Sequence, residues 1–333
     1  MNKSCDRTER GVYVGIDTSN YTTSLALCDE EGTILANLKR PLPVKQGERG
    51  LRQSDAVFAH VRNLPSLMEE LQSLLHPSGE RPKTVLGIGY SEKPRRQDDS
   101  YMPCFLVGTS AASTLSAATG APTSAFSHQE GHVMAALYSA GLCDELSNSM
   151  SELSNGFVAF HVSGGTTDVL LVRNDHGRFD IELLGTSEDL HAGQAVDRIG
   201  VALGFQFPCG QELEALALSC DKPIPKPRVC VNGMSCHLSG LENLALSLYQ
   251  KTGDKALTAA YTLDFLGETL SKMSAAAQKK YPKIPMIFAG GVMSNRRIQA
   301  LLGNRYHAYF SEPQFSADNA AGVALLCRRQ LQT

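Results

Sequence analysis

The sequence predicts an α/β fold made of two similar domains. Residues 12–37 have the pattern strand, polar turn, strand, turn and strand, and residues 157–183 repeat it. Ser19 and Ser163 occupy the same place in the two copies, immediately after the first strand. Helical stretches follow each copy, and alternating strands and helices are typical of an α/β fold. Two copies of one hairpin unit, each opening about half of the chain, predict two similar domains that face each other.

Turn and helix signals place the individual elements. The second turns of the two hairpin units, Asp29–Gly32 and Asn174–Gly177, end in glycine, which is free to take positive φ. Apolar residues at helical spacing predict three helices: Ser54–His76, His132 to about Ala140, and Thr258–Lys280. A short apolar strand, Ile284–Ala289, ends at Gly290–Gly291 just before a helix start.

The composition is that of a globular enzyme and excludes several classes of protein. With 333 residues, 42% of them apolar and 20% charged, the chain is long enough for two medium-sized cores. No apolar run is long enough to cross a bilayer, and the polar residues 1–10 predict no signal peptide. Nine cysteines without CxxC pairs favour reduced thiols, so we expect a cytoplasmic protein. The formal charge of −3 argues against a protein that coats nucleic acid by itself.

Three turns follow predicted strands in a way that suits nucleotide binding. They are Asp17–Ser19, Ser163–Thr167 and Gly290–Asn295. The first two can present consecutive backbone N–H groups to a phosphate, and the third opens a helix whose N-terminus favours anions. Any one of these turns alone is more often structural. All three in this order predict a nucleotide cleft.

Two histidines four residues apart, His128 and His132, stand at a predicted helix start. At about 100° per residue they lie roughly 40° apart on the helix, so both can reach one metal ion. Paired surface or core histidines explain the pattern about as well. Glu130 lies two residues from each histidine and points away from a metal on that face, so a zinc-protease mechanism fits poorly. Near the C-terminus Asp318 also stands at a helix start, where capping alone would explain it.

Taken together, these motifs resemble the TsaD family of tRNA threonylcarbamoyltransferases, earlier interpreted as glycoproteases. The resemblance covers about residues 12–328 and rests on motifs in the family's order: GIDTS (15–19), His-x-Glu-Gly-His (128–132), VSGG (162–165), Gly193 with Asp197, GGVMSN (290–295) and SADN (316–319). It implies an actin/hexokinase-like (ASKHA) α/β fold with two similar lobes and a nucleotide cleft between them. The first lobe would comprise residues 1–133 and 309–333, and the second would comprise residues 134–308.

The same resemblance implies a reaction, its ligands and its partners. The family transfers threonylcarbamoyl from threonylcarbamoyl-AMP to N6 of the adenosine 3′ of certain tRNA anticodons. One divalent metal, iron or zinc, would be held by His128, His132 and Asp318. ATP or the threonylcarbamoyl-adenylate would contact His161, Val162, Ser163, Gly164, Gly165, Asp197, Gly210 and Asn295. Besides tRNA, the implied partners are a TsaB-like actin-type paralogue and a TsaE-like P-loop ATPase, and no membrane is implied.

The chain departs from the family pattern around the expected site, as a diverged paralogue would. Most members have Ser-Cys-Asp-Glu-Thr in the first turn, whereas residues 19–23 here are Ser-Asn-Tyr-Thr-Thr, so both acidic residues are absent. The family's compact Gly-Pro-Gly loop is replaced by residues 91–103. We expect Lys93, Arg95 and Arg96 of this loop to contact the RNA backbone or a partner, and a solvated loop is the simpler alternative.

Two hypotheses for function follow from these residues. The first is metal-dependent transfer of threonylcarbamoyl to tRNA by an acyltransferase. The alternative is a non-transferring paralogue that binds nucleotide and metal and acts as a regulator or assembly partner. The replacement of the acids by Tyr21 and Thr22 favours this alternative. A small-molecule kinase on the same fold comes third, because no catalytic Asp beside a sugar-binding motif is recognisable.

Overall fold

The computed structural model describes residues 11–43, 51–97, 99–146, 151–316 and 320–332. The chain divides into two compact units. The first comprises Met1–Tyr138, Asp175–Phe179 and Asp318–Thr333, and the second comprises Ser139–Asn174 and Asp180–Ala317. The described cysteines are free thiols. Within the described residues, no helix combines the length and the apolar character that a membrane crossing needs.

Strands and helices alternate in both units. The strands are β1 (Gly11–Ser19), β2 (Thr22–Asp29), β3 (Ile34–Pro41), β4 (Thr84–Lys93), β5 (Thr123–Ser127), β6 (Phe157–Val162), β7 (Thr167–Asp175), β8 (Arg178–Thr186), β9 (Cys230–Asn232), β10 (Ser235–His237), β11 (Met286–Ala289) and β12 (Ala308–Phe310). The helices are α1 (Gln53–Leu75), α2 (Phe105–Thr119), α3 (His128–Ser139), α4 (Ala192–Ala202), α5 (Gly210–Leu218), α6 (Ser239–Thr252), α7 (Lys255–Lys280), α8 (Arg296–Gly303), α9 (Pro313–Ser316) and α10 (Ala321–Gln332).

The first unit is built on a five-stranded sheet in the order β3-β2-β1-β4-β5. β1 pairs antiparallel with β2 and parallel with β4, and β4 is parallel to β5. Every residue of β1 is buried. Helix α10 packs on the face that carries Gly15, and α2 packs on the opposite face, which carries Ile16. Because β1, β4 and β5 run in the same direction, their carboxyl ends lie along one edge of the sheet.

The second unit has a matching five-stranded sheet in the order β12-β11-β6-β7-β8. β6 pairs antiparallel with β7 and parallel with β11, which is in turn parallel to β12. Aromatic residues fill the core beside these strands. The Phe160 and Phe288 rings stack with centroids 4.5 Å apart, and Phe288 stacks on Phe310 at 5.3 Å. The strands β6, β7 and β8 repeat the order of β1, β2 and β3, so the sequence duplication corresponds to two copies of one three-stranded unit.

The predicted helices are present, with ends that differ for local reasons. Helix α7 begins at Lys255 rather than Thr258, because the Asp254 carboxylate caps it and accepts from the Leu257 backbone N–H at 2.9 Å. Helix α3 begins at His128 itself. Both candidate metal ligands of the histidine motif therefore lie on one helix.

Helices α3 and α10 approach closely where two glycines face each other. A Cβ added to Gly322 would lie 1.9 Å from the carbonyl oxygen of Gly131 and 2.9 Å from the Ala135 nitrogen. A Cβ on Gly131 would lie 2.9 Å from the side chain of Val323. The Gly131 oxygen and the Ala135 nitrogen are backbone atoms that cannot rotate away, so glycine at 322 is required for this helix crossing.

Replacing Gly322 with alanine should therefore destabilise the protein. We expect Gly322→Ala to lower the free energy of unfolding by about 2–3 kcal/mol, since overpacking forces the two helices apart. Urea unfolding followed by circular dichroism would measure the effect. Gly240→Ala is the matched control, because a Cβ at this exposed position of α6 meets no described atom within 4 Å. Equal midpoints for the two variants would contradict the packing argument.

Candidate functional site

The two histidines predicted as metal ligands lie side by side at the start of α3. Nε2 of His128 and Nε2 of His132 are 2.9 Å apart. This separation is shorter than twice a metal–nitrogen bond of about 2.1 Å, so one ion can bond to both atoms. The His128 ring packs near Phe105, with ring centroids 6.0 Å apart. The residues present therefore fit a metal held through two imidazole nitrogens.

The third predicted ligand, Asp318, lies outside the described residues. Among the residues that the structure does describe, no group of three or more His, Cys, Asp or Glu side chains is placed to hold a metal ion. The convergence of Asp318 with His128 and His132 stays a prediction.

A buried carboxylate contacts the His128 ring on the side opposite His132. Asp17 lies near the end of β1 and is fully buried. Its Oδ1 is 2.9 Å from Nδ1 of His128. Ser24, which faces Asp17 on β2, donates a hydrogen bond to the main-chain oxygen of Asp17 at 3.3 Å. The sequence pattern assigns Asp17 only to a phosphate-binding turn, because a partner 111 residues away leaves no local signal.

Glu130 points away from the histidine pair, as helical spacing predicts. Its carboxylate is fully buried and accepts hydrogen bonds from the backbone N–H and hydroxyl of Ser127, at 2.8 and 2.9 Å. Arg178 donates to both carboxylate oxygens, at 3.3 and 3.2 Å, and its guanidinium lies over the Phe126 ring. The carboxylate of Glu130 is therefore part of a structural ion pair, which supports the case against a zinc-protease mechanism.

Neutral hydrogen bonds hold the β1–β2 turn in which the family's two acids are replaced. The Asn20 side-chain oxygen accepts from the Gln53 amide at 2.7 Å. On β2, Oγ1 of Thr23 lies 2.8 Å from Nδ1 of His60 and accepts from Asn63 at 3.1 Å. Burial lowers the pKa of His60, which favours its neutral form. The turn and its surroundings are thus fixed without the two carboxylates.

The turn after β6 is closed and packed through its main chain. The Ser163 N–H donates to the Thr166 carbonyl oxygen at 2.7 Å, and the Gly193 N–H donates to the Ser163 carbonyl oxygen at 3.1 Å. A Cβ on Gly193 would lie 2.7 Å from the Cα of Gly164. Glycine at 193 is therefore required for α4 to approach this turn.

The two residues before that turn, His161 and Val162, belong to β6. Val162 is fully buried in the core of the second unit, so only its main chain can serve a ligand. A Cβ on Gly290 would lie 2.3 Å from the Val162 carbonyl oxygen, and Gly290 also has a φ of 99°. His161 is half-buried and pairs with Ala289 of β11 in the sheet.

Four glycines of the predicted nucleotide site face open space. Among the described atoms, none lies within 4 Å of a Cβ added to Gly164, Gly165, Gly210 or Gly291. None of these four has a positive φ. Since neither packing nor backbone conformation within the described residues demands glycine there, the main chain is left accessible to a ligand.

Asp197 and Asn295 both hold the start of a helix. Oδ1 of Asp197 accepts from the Cys209 N–H at 2.8 Å, immediately before Gly210 opens α5. Burial raises the pKa of Asp197, and the hydrogen bond from Cys209 opposes the rise. Oδ1 of Asn295 accepts from the Ile298 N–H at 3.1 Å and caps α8. Each predicted ligand residue thus also has a structural role that the motif alone does not reveal.

The basic loop that replaces the family's glycine loop lies beside the histidine motif. The Pro94 carbonyl oxygen accepts from the Gln129 N–H at 3.0 Å. Arg96 donates to the Asp175 carboxylate and to the Phe179 carbonyl oxygen, both at 2.9 Å. Arg96 is thus paired within the first unit, and contact of this loop with RNA or a partner stays a prediction.

Comparison with known proteins identifies the family. The family profile described as TsaD: tRNA N6-adenosine threonylcarbamoyltransferase matches residues 46–325. The chain belongs to the TsaD family. A relative described as tRNA N6-adenosine threonylcarbamoyltransferase, from Methylobacillus flagellatus, is 28% identical over 338 residues. The alignment covers 96% of this chain and 93% of the relative. The resemblance found in the sequence is confirmed, and with it the general class of tRNA acyltransferase.

Solved structures confirm the fold of this TsaD-family chain. HypF from T. kodakarensis aligns with a TM-score of 0.60 at 12% identity, over 97% of this chain and 48% of that longer one. Component A of the (R)-2-hydroxyglutaryl-CoA dehydratase from Acidaminococcus fermentans aligns with a TM-score of 0.52 at 15% identity, over 97% and 99% of the two chains. At these identities the likeness shows the fold alone, and it confirms the predicted actin/hexokinase-like (ASKHA) α/β fold.

The pair formed by buried Glu130 and partly buried Arg178 should contribute strongly to stability. Removing the guanidinium in Arg178→Leu leaves a carboxylate buried without its cation, so we expect a loss of about 3 kcal/mol in the free energy of unfolding. Arg173→Ala is the matched control, because Arg173 pairs with Glu182 at 3.5 Å and Asp180 at 3.8 Å on the surface, where such pairs contribute less than about 1 kcal/mol. Denaturant unfolding of both variants would measure the difference. Similar losses for the two would refute the special role of the buried pair.

Proposed function

We propose that this TsaD-family protein is a metal-dependent acyltransferase that moves threonylcarbamoyl from threonylcarbamoyl-AMP to N6 of the adenosine 3′ of the tRNA anticodon. The observation that carries the proposal is the pair of histidine Nε2 atoms 2.9 Å apart on α3, in a chain that matches the family over residues 46–325. The hydrogen bond between Asp17 and His128 supports a role for this ring beyond packing.

His128 and His132 would hold one divalent metal, iron or zinc, together with Asp318. Two imidazoles and one carboxylate leave positions open for substrate oxygens. When bound, such a metal supplies a Lewis acid that polarises the carbamoyl carbonyl and stabilises negative charge on its oxygen. The partly exposed edge of His128 would give a substrate access, since its side chain is 19% exposed whereas Asp17 behind it is fully buried.

The second unit would bind the adenylate, or ATP, through its main chain. The exposed backbone of Gly164, Gly165 and Gly210 would contact the phosphate, because no described side chain fills the space beside them. The Asp197 carboxylate can accept a hydrogen bond from a ribose hydroxyl. Since the Asn295 oxygen already caps α8, its amide NH2 would be the group that meets the ligand. His161, Val162 and Ser163 would contribute at the end of β6.

In the proposed reaction, N6 of the adenosine attacks the carbamoyl carbon. A carbon–nitrogen bond forms, the bond to the AMP oxygen breaks, and N6 loses a proton. An anticodon loop allows the target base to be unstacked and reached. A TsaB-like actin-type paralogue and a TsaE-like P-loop ATPase are the proposed partners. We place the protein in the cytoplasm, where charged and maturing tRNAs are used.

The alternative function is a non-transferring paralogue that binds metal and nucleotide and regulates or assembles other proteins. The observation that favours it is the replacement of the family's two acidic residues by Tyr21 and Thr22. Tyr21 is 44% exposed, and Asn20 beside it is bonded to Gln53. If those acids are needed for the chemical step, ligand binding would survive while transfer is lost.

A transfer assay decides between the two functions. Labelled threonylcarbamoyl-AMP and unmodified tRNA would be incubated with the protein, with and without the two partner proteins. We expect label in tRNA, and its loss in His132→Ala, because one of the proposed metal ligands is removed. His237→Ala is the matched control, since this exposed histidine on β10 pairs with Glu188 at the surface. Metal and nucleotide binding without label, beside an active family member, would establish the alternative.

Nucleotide binding should depend on the open space beside Gly165. A methyl group in Gly165→Ala meets no described atom within 4 Å, so we expect unchanged thermal stability. The same methyl group would occupy the space of the phosphate, and we expect ATP affinity to fall about tenfold or more, which is about 1.4 kcal/mol. Calorimetric titration would measure it, with Gly240→Ala as the control. Unaltered affinity in Gly165→Ala would remove this turn from the nucleotide site.

A further inference from the structure

We infer that Asp17 is a positioning residue that fixes the orientation and tautomer of His128 for metal binding. The inference rests on the proposed metal site and adds a residue to it. Metal-bound histidines commonly donate their other ring N–H to a carboxylate, which orients the ring and raises its basicity. Asp17 and His128 have this arrangement, with Oδ1 of the carboxylate 2.9 Å from Nδ1 of the ring.

The topology of the first sheet brings the two residues together. Asp17 lies near the carboxyl end of β1, and His128 follows directly after the carboxyl end of β5. These strands are both parallel to β4, which lies between them in the sheet. The carboxylate is thus built into the most buried strand of the unit, while the imidazole stands on the first residue of α3.

The chemistry of the contact assigns the proton on the His128 ring. A carboxylate oxygen accepts hydrogen bonds, so Nδ1 of His128 must donate. In the neutral ring Nε2 then carries the lone pair. Nε2 is the atom that faces His132, at 2.9 Å. The carboxylate therefore directs the metal-binding lone pair of His128 toward the second proposed ligand.

Two other titratable residues near Asp17, Cys104 and His60, are favoured in their neutral forms. Burial raises the pKa of the Cys104 thiol to about 12, with a further contribution from Asp17, so Cys104 is a neutral thiol. Burial lowers the pKa of His60 although Asp17 acts in the opposite direction, so neutral His60 is favoured. The hydrogen bond from Ser24 reaches the main-chain oxygen of Asp17 and not its carboxylate. Among these described neighbours, His128 is the one whose ring links the Asp17 carboxylate to the proposed metal.

The test compares Asp17→Asn with Ser24→Ala. The first variant keeps the shape of the side chain and removes the carboxylate, and the second removes a hydrogen bond at the same place and leaves the carboxylate intact. Zinc affinity would be measured by competition with a chelating dye, and the tautomer of His128 by nitrogen-15 NMR of the metal-free protein. We expect Asp17→Asn to lower zinc affinity about 10–100-fold and to reduce the population protonated at Nδ1. Ser24→Ala should retain the affinity and tautomer of the parent.

Each outcome separates this inference from the proposed function. Equal zinc affinities of the parent and of Asp17→Asn would overturn the positioning role and leave the metal site standing. A parent that binds no zinc or iron would overturn the metal site and this inference with it. If Asp17→Asn does not fold, the parent alone decides, since a His128 ring unprotonated at Nδ1 in the metal-free protein contradicts the assignment.

Discussion

The orientation of α3 is the constraint on which the first unit depends. Three neighbouring residues connect this helix to three separate parts of the unit: His128 contacts β1, Glu130 binds Arg178, and Gly131 contacts α10. On a helix these residues project in different directions. Rotation of α3 would break the hydrogen bond or the ion pair, and displacement toward α10 would bring backbone atoms into collision. The histidine pair is therefore held by the scaffold before any ligand binds, which is the preorganisation that a metal site needs.

The second unit meets a different requirement, because its proposed ligand is bound mainly by backbone. Its glycines fall into two groups with different physical reasons. Gly193 and Gly290 are required by packing, since a side chain would collide with the main chain of the neighbouring turn or strand. Gly164 and Gly165 meet no such obstacle in the described structure. Gly193 and Gly290 allow the neighbouring elements to approach, whereas Gly164 and Gly165 leave the surface open. A substitution at Gly164 or Gly165 would therefore test ligand binding without disturbing this packing.

The sequence was sufficient for features that depend on local periodicity or on repetition. The duplicated strand units, the helix around Glu130 and the direction of its side chain all follow from residues close together in the chain. Contacts between distant residues could not be predicted in this way. The pairing of Asp17 with His128 depends on how β4 separates β1 from β5. The pairing of Arg178 with buried Glu130 depends on a hairpin 48 residues further along. Asn295 shows a further limit, because one amide can cap a helix and also face a ligand, and the motif does not distinguish these roles.

The first turn lacks the two acidic residues of the family pattern. Asn20 and Thr23 hold the turn through uncharged hydrogen bonds to α1, so the scaffold does not need the missing carboxylates. Two fewer negative charges beside the proposed metal would weaken its electrostatic stabilisation, because opposite charges attract. The same loss reduces repulsion of an anionic adenylate. Asp17 remains in place on β1 and keeps its contact with His128. The turn and the proposed reaction therefore differ in what they need: the hydrogen bonds that hold the turn do not require the two acids, whereas the charge that the proposed transfer could use is reduced without them.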